Sequence, residues 1–351
     1  GALLVAALAL GAGVGWAAYL RAGGQLLSWA GAYGSTSAME LLMTTNKAAD
    51  VTWADEEGRT ALIAASEAGQ DAAVALLLEK GADPNHTMKQ GVTALMRASL
   101  NNHAGVAARL IAAGASINVK DKGGNAALSY ALTEDSGEGT EVLSLLLRAG
   151  ADPNTHDKFL ISALALACAN SHAAATPLLL AAGASVSLRD DRGRTPLMWA
   201  SYSGDAVAAA ALLEAGADVS VRDKHGNTAV IKASQRGSTE VLRLLLDAGG
   251  DPNDQEYDRL TALMAAAGNG HFDAAALLLE RGANPHATAD YGATALIAAA
   301  GNGHIEVVSL LLEHKVEINA RSNNGWTALG HAVNKNKPGV AALLEAHGAR
   351  R

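Results

Sequence analysis

"GATALIAAAGNGH", Gly292 to His304, repeats almost letter for letter the stretch "LTALMAAAGNGH", Leu260 to His271, 33 residues earlier. A duplicated dozen points to a structural unit, since a catalytic loop is not usually written twice. With the Thr of "TAL" as marker, units begin at Thr60, Thr93, Ala126, Ser162, Thr195, Thr228, Thr261, Thr294 and Thr327. Each step is 33 residues except Ala126 to Ser162, which is 36, and the extra three fall in the polar "TEDSGEG" (Thr133–Gly139), a lengthened loop. Five residues past the markers stand Ala65, Ala98, Ala131, Ala167, Ala200, Ala233, Ala266, Ala299 and Ala332. Two past them stands Leu in eight units and Val230 in the ninth. Nine aligned copies define a repeat protein.

Local chemistry gives every copy the same shape. Thr195-Pro196 places a hydroxyl N-cap before a proline at the first helical position, and both favour a helix start. The first helix is short and lined with Ala, so a neighbouring backbone can come close. A turn such as "GNGH" reverses the chain into a Leu-rich second helix, as in "EVLRLLLDAGGDPN" (Glu240–Asn253). The Gly of "GAD", at Gly81, Gly150 and Gly216 among others, suits a left-handed C-terminal cap. The remainder, for example "ADVSVRDKHGNT" (Ala217–Thr228), is polar and turn-rich and reads as a hairpin-like finger.

At "GRTPLMWASYSGDAVAAAALLEAGADVSVRD" (Gly193–Asp223) the chain resembles the ankyrin repeat, with its Thr-Pro-Leu opening and Gly-Ala-Asp close. The resemblance runs from about Gly58 to the C-terminus. It implies an all-α solenoid of nine helix-turn-helix-hairpin units that binds protein partners. One departure stands out: the family's His after Thr-Pro-Leu is replaced by Ile63, Met96, Met198, Ile231, Met264 and Ile297, so apolar packing is expected in its place. Repeats of this size are stabilised through their neighbours and need capped ends. The expected organisation is a hydrophobic helix over 1–24, an interfacial linker over 25–37 and the repeat domain over 38–351. Within that domain, 38–57 is a degenerate cap and 58–351 holds the nine repeats.

"GALLVAALALGAGVGWAAYL" (Gly1–Leu20) carries no charge and is followed by Arg21. As a helix it would span about 30 Å, the hydrocarbon thickness of a bilayer. Trp16 and Tyr19 suit the interfacial aromatic belt, and Gly11 with Gly15 forms a small-xxx-small pair for helix packing. A single-pass anchor in contact with lipid is the expectation. The rival is a targeting peptide, with "ALA" (Ala7–Ala9) as its cleavage site, on a soluble or secreted effector.

Composition bounds the function. The chain has 351 residues, 49% hydrophobic and 4% aromatic, so its core is Ala and Leu; its net charge of −8 is interleaved with bases. A nucleic-acid footprint is not expected. The single cysteine, Cys168, lies beside Ala167 and reads as a buried small hydrophobe. "GAGVGW" from Gly11 fails the dinucleotide fingerprint at Trp16, and the eleven His show no metal-ligand spacing. His271 and His304 recur at one turn position and are expected to brace it. The sequon Asn85-His86-Thr87 reads as a chance triplet. No catalytic residue, metal, cofactor or small-molecule substrate is expected.

The binding surface is more legible. In the family the fingers and first helices line the concave side, and the residue four past each marker samples it. Those residues are Ala64, Arg97, Tyr130, Leu166, Trp199, Lys232, Ala265, Ala298 and His331. Tyr130, Leu166 and Trp199 are large and come from successive repeats, Tyr202 lies near Trp199, and Phe159 interrupts a finger that is otherwise polar. These five are the expected partner contact, with Arg97 and Lys232 as a charged rim. The expected role is a non-catalytic accessory or assembly subunit of a membrane complex, a bioenergetic one being the kind considered.

Overall fold

The computed structural model describes residues 22–46, 49–133 and 140–350. Among these residues the chain forms twenty helices and no strands, and it divides into two compact units, Gly1–Ala184 and Ser185–Arg351. Gly11, Gly15, Trp16, Tyr19 and Arg21, expected as the membrane anchor, lie outside the described residues. Among the described residues no helix is long and apolar enough to cross a membrane.

The first unit contains five antiparallel pairs: α1 Gly23–Ala32 with α2 Thr36–Thr45, α3 Ala61–Glu67 with α4 Asp71–Glu79, α5 Ala94–Leu100 with α6 Ala104–Ala112, α7 Ala127–Tyr130 with α8 Glu141–Arg148, and α9 Ala163–Ala169 with α10 Ala175–Ala181. The second contains five more: α11 Pro196–Ser203 with α12 Ala206–Glu214, α13 Ala229–Arg236 with α14 Thr239–Asp247, α15 Ala262–Asn269 with α16 Phe272–Glu280, α17 Ala295–Asn302 with α18 Ile305–Glu313, and α19 Ala328–Asn334 with α20 Pro338–Ala346. Inside each unit, first helices stack on first helices and second helices on second helices. The stack is dry. Ala65, Ala98, Ala167, Ala200 and Ala233 are 0% exposed, as are Leu77, Leu110, Leu146, Leu212 and Leu245 on the second helices.

The marker hydroxyls start the first helices. Thr60 Oγ1 accepts from Ile63 N at 3.3 Å and Thr93 Oγ1 from Met96 N at 3.2 Å, and the later Ser and Thr markers do the same. Ala126 has no hydroxyl, and its helix, α7, is only four residues long. The residues standing in for the family's His are buried: Ile63 and Met96 are each 1% exposed and Ile231 is 0% exposed. Apolar packing therefore does replace the polar side chain.

The stretch 25–37, expected as a linker, belongs to the stack: it holds most of α1, the turn after it and the start of α2. Gln25, Leu27 and Ala30 in α1 reproduce the marker, +2 and +5 positions of the later repeats, and Leu27 and Ala30 are 0% and 1% exposed. Helix α1 packs on α3, and the Trp53 side chain lies so close to Gly24 that a Cβ there would meet Trp53 Cγ at 2.0 Å. Gly24 is thus required for close approach. The degenerate cap is a complete helix pair beginning at Gly23 rather than at residue 38.

Asparagine side chains clasp one repeat to the next. Asn85 Nδ2 donates to Gly114 O at 3.1 Å while its Oδ1 accepts from Ser116 N at 2.7 Å. Asn118 makes the same pair with Gly150 O and Asp152 N, and Asn253 with Gly282 O and Asn284 N. The sequon asparagine is therefore occupied in a structural bond. His271 and His304, expected to brace their turns, tie them to the preceding repeat instead, donating from Nε2 to Gln235 O and Gly268 O at 3.2 and 3.1 Å. Cys168 is buried.

Candidate interaction surface

Five of the fingers are organised by an aspartate, at Asp55, Asp121, Asp157, Asp190 and Asp223. Asp121 Oδ1 accepts from Gly123 N and Asn125 N, both at 2.8 Å, which ties the turn. Asp157, Asp190 and Asp223 do the same in their own fingers. The second carboxylate oxygen then reaches the first helix. Asp121 Oδ2 accepts the Tyr130 hydroxyl at 2.7 Å, Asp190 Oδ2 the Trp199 indole N–H at 3.3 Å, and Asp223 Oδ2 faces Lys232 Nζ at 3.4 Å. The lining residue is in each case braced by its own finger.

Several of the expected contact residues are held by this bracing. Tyr130 is half-buried; burial first, and then the Asp121 carboxylate, push its phenol above the ordinary range, so it stays a neutral donor. Trp199 is partly buried, and the Arg194 guanidinium carbon stands 3.9 Å from its ring centroid. Lys232 and Arg97, expected as a charged rim, are turned toward structural groups. The Lys232 side chain is only 16% exposed against Asp223, and Arg97 Nη1 lies 3.6 Å from Glu67 Oε1. Both cations neutralise carboxylates of their own repeat stack before any partner arrives. Asp223 itself is held below the usual carboxylate range: burial opposes this, but bonds from Asn227 and His225 and the Lys232 charge outweigh it.

Other residues are open. Phe159 and Leu160 at one finger tip are 49% and 47% exposed, with Lys158 Nζ 5.0 Å from the Phe159 ring centroid. Leu160 has φ 62°, a left-handed conformation that Gly58, Gly91 and Gly124 occupy at the same place in earlier fingers. Leu166 is partly buried on α9. Tyr202 is 45% exposed on α11, beneath Arg236 at 4.8 Å. Tyr130, Leu166 and Phe159 belong to the first unit, Trp199 and Tyr202 to the second.

Several exposed aromatics escaped the sequence reading. Trp29 (55%) stands four past Gln25, at the lining position of the unrecognised first pair. Tyr257 and Tyr291 are exposed on fingers of the second unit, Tyr257 at a place where other fingers carry charged or polar residues and Tyr291 at the place Phe159 holds in its own finger. Their signal was available as aromatics at otherwise polar repeat positions. Among the described residues no three His, Cys, Asp or Glu side chains come together to hold a metal.

Stacked helix pairs with clasped fingers define a repeat scaffold. A family profile of ankyrin repeats in three copies matches residues 4–88, 27–121, 81–157, 128–223, 208–289 and 283–350. The chain belongs to the ankyrin repeat family, whose members are in general non-catalytic protein–protein interaction modules. The match also covers α1 and α2, in accord with their place in the stack. No curated protein matches the chain.

Proposed function

We propose that this protein is a non-catalytic scaffold held at a membrane by residues 1–20, where it serves as an accessory or assembly subunit of a membrane complex. Contact with protein partners is made through Phe159, Leu160, Leu166 and Tyr130 in the first unit and Trp199 and Tyr202 in the second. The observation that supports this most is Leu160. A large apolar side chain is held exposed in a left-handed conformation where seven sister fingers have glycine and one has Arg259. A left-handed backbone costs a non-glycine residue about 1–2 kcal/mol, and nothing in the finger's own hydrogen bonding asks for leucine. The tether is supported by twenty uncharged residues before Arg21.

Two measurements test this reading. Flotation with liposomes should carry the full chain, and removal of residues 1–24 should leave it at the bottom of the gradient. Flotation of the shortened chain would refute the tether. Co-purification from native membranes should recover subunits of one complex with the parent, and lose them with Phe159→Ala/Leu160→Gly or with Tyr202→Ala. Unchanged recovery with both variants would refute the contact face.

A further inference from the structure

We propose that the groove between α16 and α18, on the second-helix face of the second unit, holds a basic amphipathic helix of a protein partner. This goes beyond the contact residues named above, which lie on first helices and one finger. The groove measures about 380 Å³ and is lined by Phe272, Ile305, Glu306, Ser309, Leu310 and Glu313. Phe272 and Ile305 are each 43% exposed, and each is the first residue of its helix. Asp71, Ala104, Ala206 and Thr239 hold that place in other repeats. Two large apolar side chains therefore stand half-open to solvent in successive repeats, at a position that the fold itself fills with small or polar residues.

The rim of this groove is acidic. Glu306 and Glu313 lie on it, and α16 carries Asp273 and Glu280 at the same two places 33 residues earlier. All four are exposed and, among the described residues, none has an ion-pair partner. Neither helix contains a base. Of the bases nearby, Arg281 is bonded to Asp247 at 2.6 Å, Lys337 lies against the Gly303 turn, and His314 and Lys315 follow the end of α18. Arg243 on α14 stands two repeats before Ser309, so the stacking register puts it on the groove between α12 and α14. Exposed Glu345 on α20 adds a further acid. The unpaired carboxylates thus outnumber Lys315 and Lys337.

The chemistry selects the occupant. A third helix fits between two parallel ones by setting its ridges into their groove, with its apolar stripe over Phe272, Ile305 and Leu310. An extended segment would find no backbone partners on a helix face. Lys and Arg beside the stripe would meet Glu306 and Glu313 in charge-assisted hydrogen bonds. An uncharged helix would strip water from those carboxylates without supplying donors of equal strength. A second copy, seated face to face, would bring the same acids against them.

The test uses the full chain and synthetic helical peptides of equal length with one Leu/Phe face, the other positions being Lys/Arg, Asp/Glu or Ser/Gln. Binding is read by fluorescence anisotropy of the labelled peptide. The basic helix should bind at least about tenfold more tightly than the other two and weaken as salt is raised. Glu306→Gln/Glu313→Gln should reduce its affinity about tenfold with an unchanged melting temperature, and Phe272→Ala should weaken it similarly. Glu214→Gln, at the place of Glu313 three repeats earlier, should leave it unaltered. Tyr202→Ala should also leave it unaltered, which separates this groove from the contact face proposed above. A photoreactive group on the peptide's apolar face should label the fragment that holds α16 and α18. Equal binding of the acidic or uncharged helix, full affinity in Glu306→Gln/Glu313→Gln, or labelling confined to other helices would overturn the proposal. Self-association of the chain that Phe272→Ala abolishes would also overturn it, and would give the groove to a second copy.

Discussion

Asp190 Oδ2 accepts the indole N–H of Trp199 at 3.3 Å, nine residues further along the chain. The same oxygen takes Arg194 Nε at 2.7 Å, and Oδ1 takes two backbone amides of the finger. The Asp190 side chain is 0% exposed, so each lost donor leaves a desolvated carboxylate short of a partner. Trp199→Ala should lower stability by about 2–4 kcal/mol from lost packing and the loss of one donor to the buried carboxylate. The check is a denaturant midpoint measured beside Tyr202→Ala, whose exposed ring predicts a change within about 0.5 kcal/mol. Equal effects of the two substitutions would show that Trp199 is not braced in this way.

At the finger tip the direction reverses. Leu160 holds φ 62° and its side chain is 47% exposed, so there is little packing to lose. Leu160→Gly should raise stability by about 1 kcal/mol through relief of the left-handed backbone. Arg259, with φ 60° at the corresponding place, should respond similarly to Arg259→Gly. Thermal melts of both variants decide the matter, and a lower melting temperature for each would contradict it.

The repeat itself was legible because the helix starts are chemical. A hydroxyl before an apolar run marks the start, and the copy at Ala126 that lacks it has the shortest helix. The first pair was missed for two physical reasons. Gln25 stands where the later repeats have a hydroxyl, and the turn glycines Gly34 and Gly69 are 35 residues apart rather than 33. The positions of Tyr130, Trp199 and Lys232 were legible, but their environment was not. A carboxylate nine residues upstream turns each side chain toward its own finger. That spacing was present in the sequence at Asp121, Asp190 and Asp223, yet it acquires meaning only when the finger folds back over the first helix.

Gly268 tests the reverse case, a glycine that its own unit does not need. It lies inside α15, and an added Cβ would meet Ala298 Cβ at 3.5 Å and Asn302 Nδ2 at 3.9 Å, which are ordinary contacts. Glycine in a helix is less favourable than alanine by about 0.5–1 kcal/mol. Gly268→Ala should therefore stabilise the protein by about that amount in a denaturant titration. Gly24→Ala should do the opposite, because its Cβ would fall inside Trp53.

Glu256 provides a pH-dependent case. Burial pushes its carboxyl above the ordinary glutamate range, against the opposing pull of Lys232, while nearby Asp223 and Asp258 add to the rise. Gln235 Nε2 donates to Glu256 Oε1 at 2.8 Å, an acceptor that glutamine can reproduce. Because the folded value lies above the unfolded one, this group's favourable contribution is complete below the unfolded value of about 4.3 and is lost as pH rises through the folded value. Above the folded value the group is ionised in both states, and folding bears the cost of keeping that charge half-buried. Glu256→Gln should accordingly raise the melting temperature at pH 7, with the gain shrinking to nothing as pH falls below about 4. The parallel substitution Asp223→Asn should show the contrary sign at pH 7, since Asp223 is held ionised by the bonds of its finger and by Lys232. Paired melts of both variants across this range separate the two carboxylates. A stabilising Asp223→Asn, or a Glu256→Gln gain that persists at acid pH, would overturn this assignment of charge.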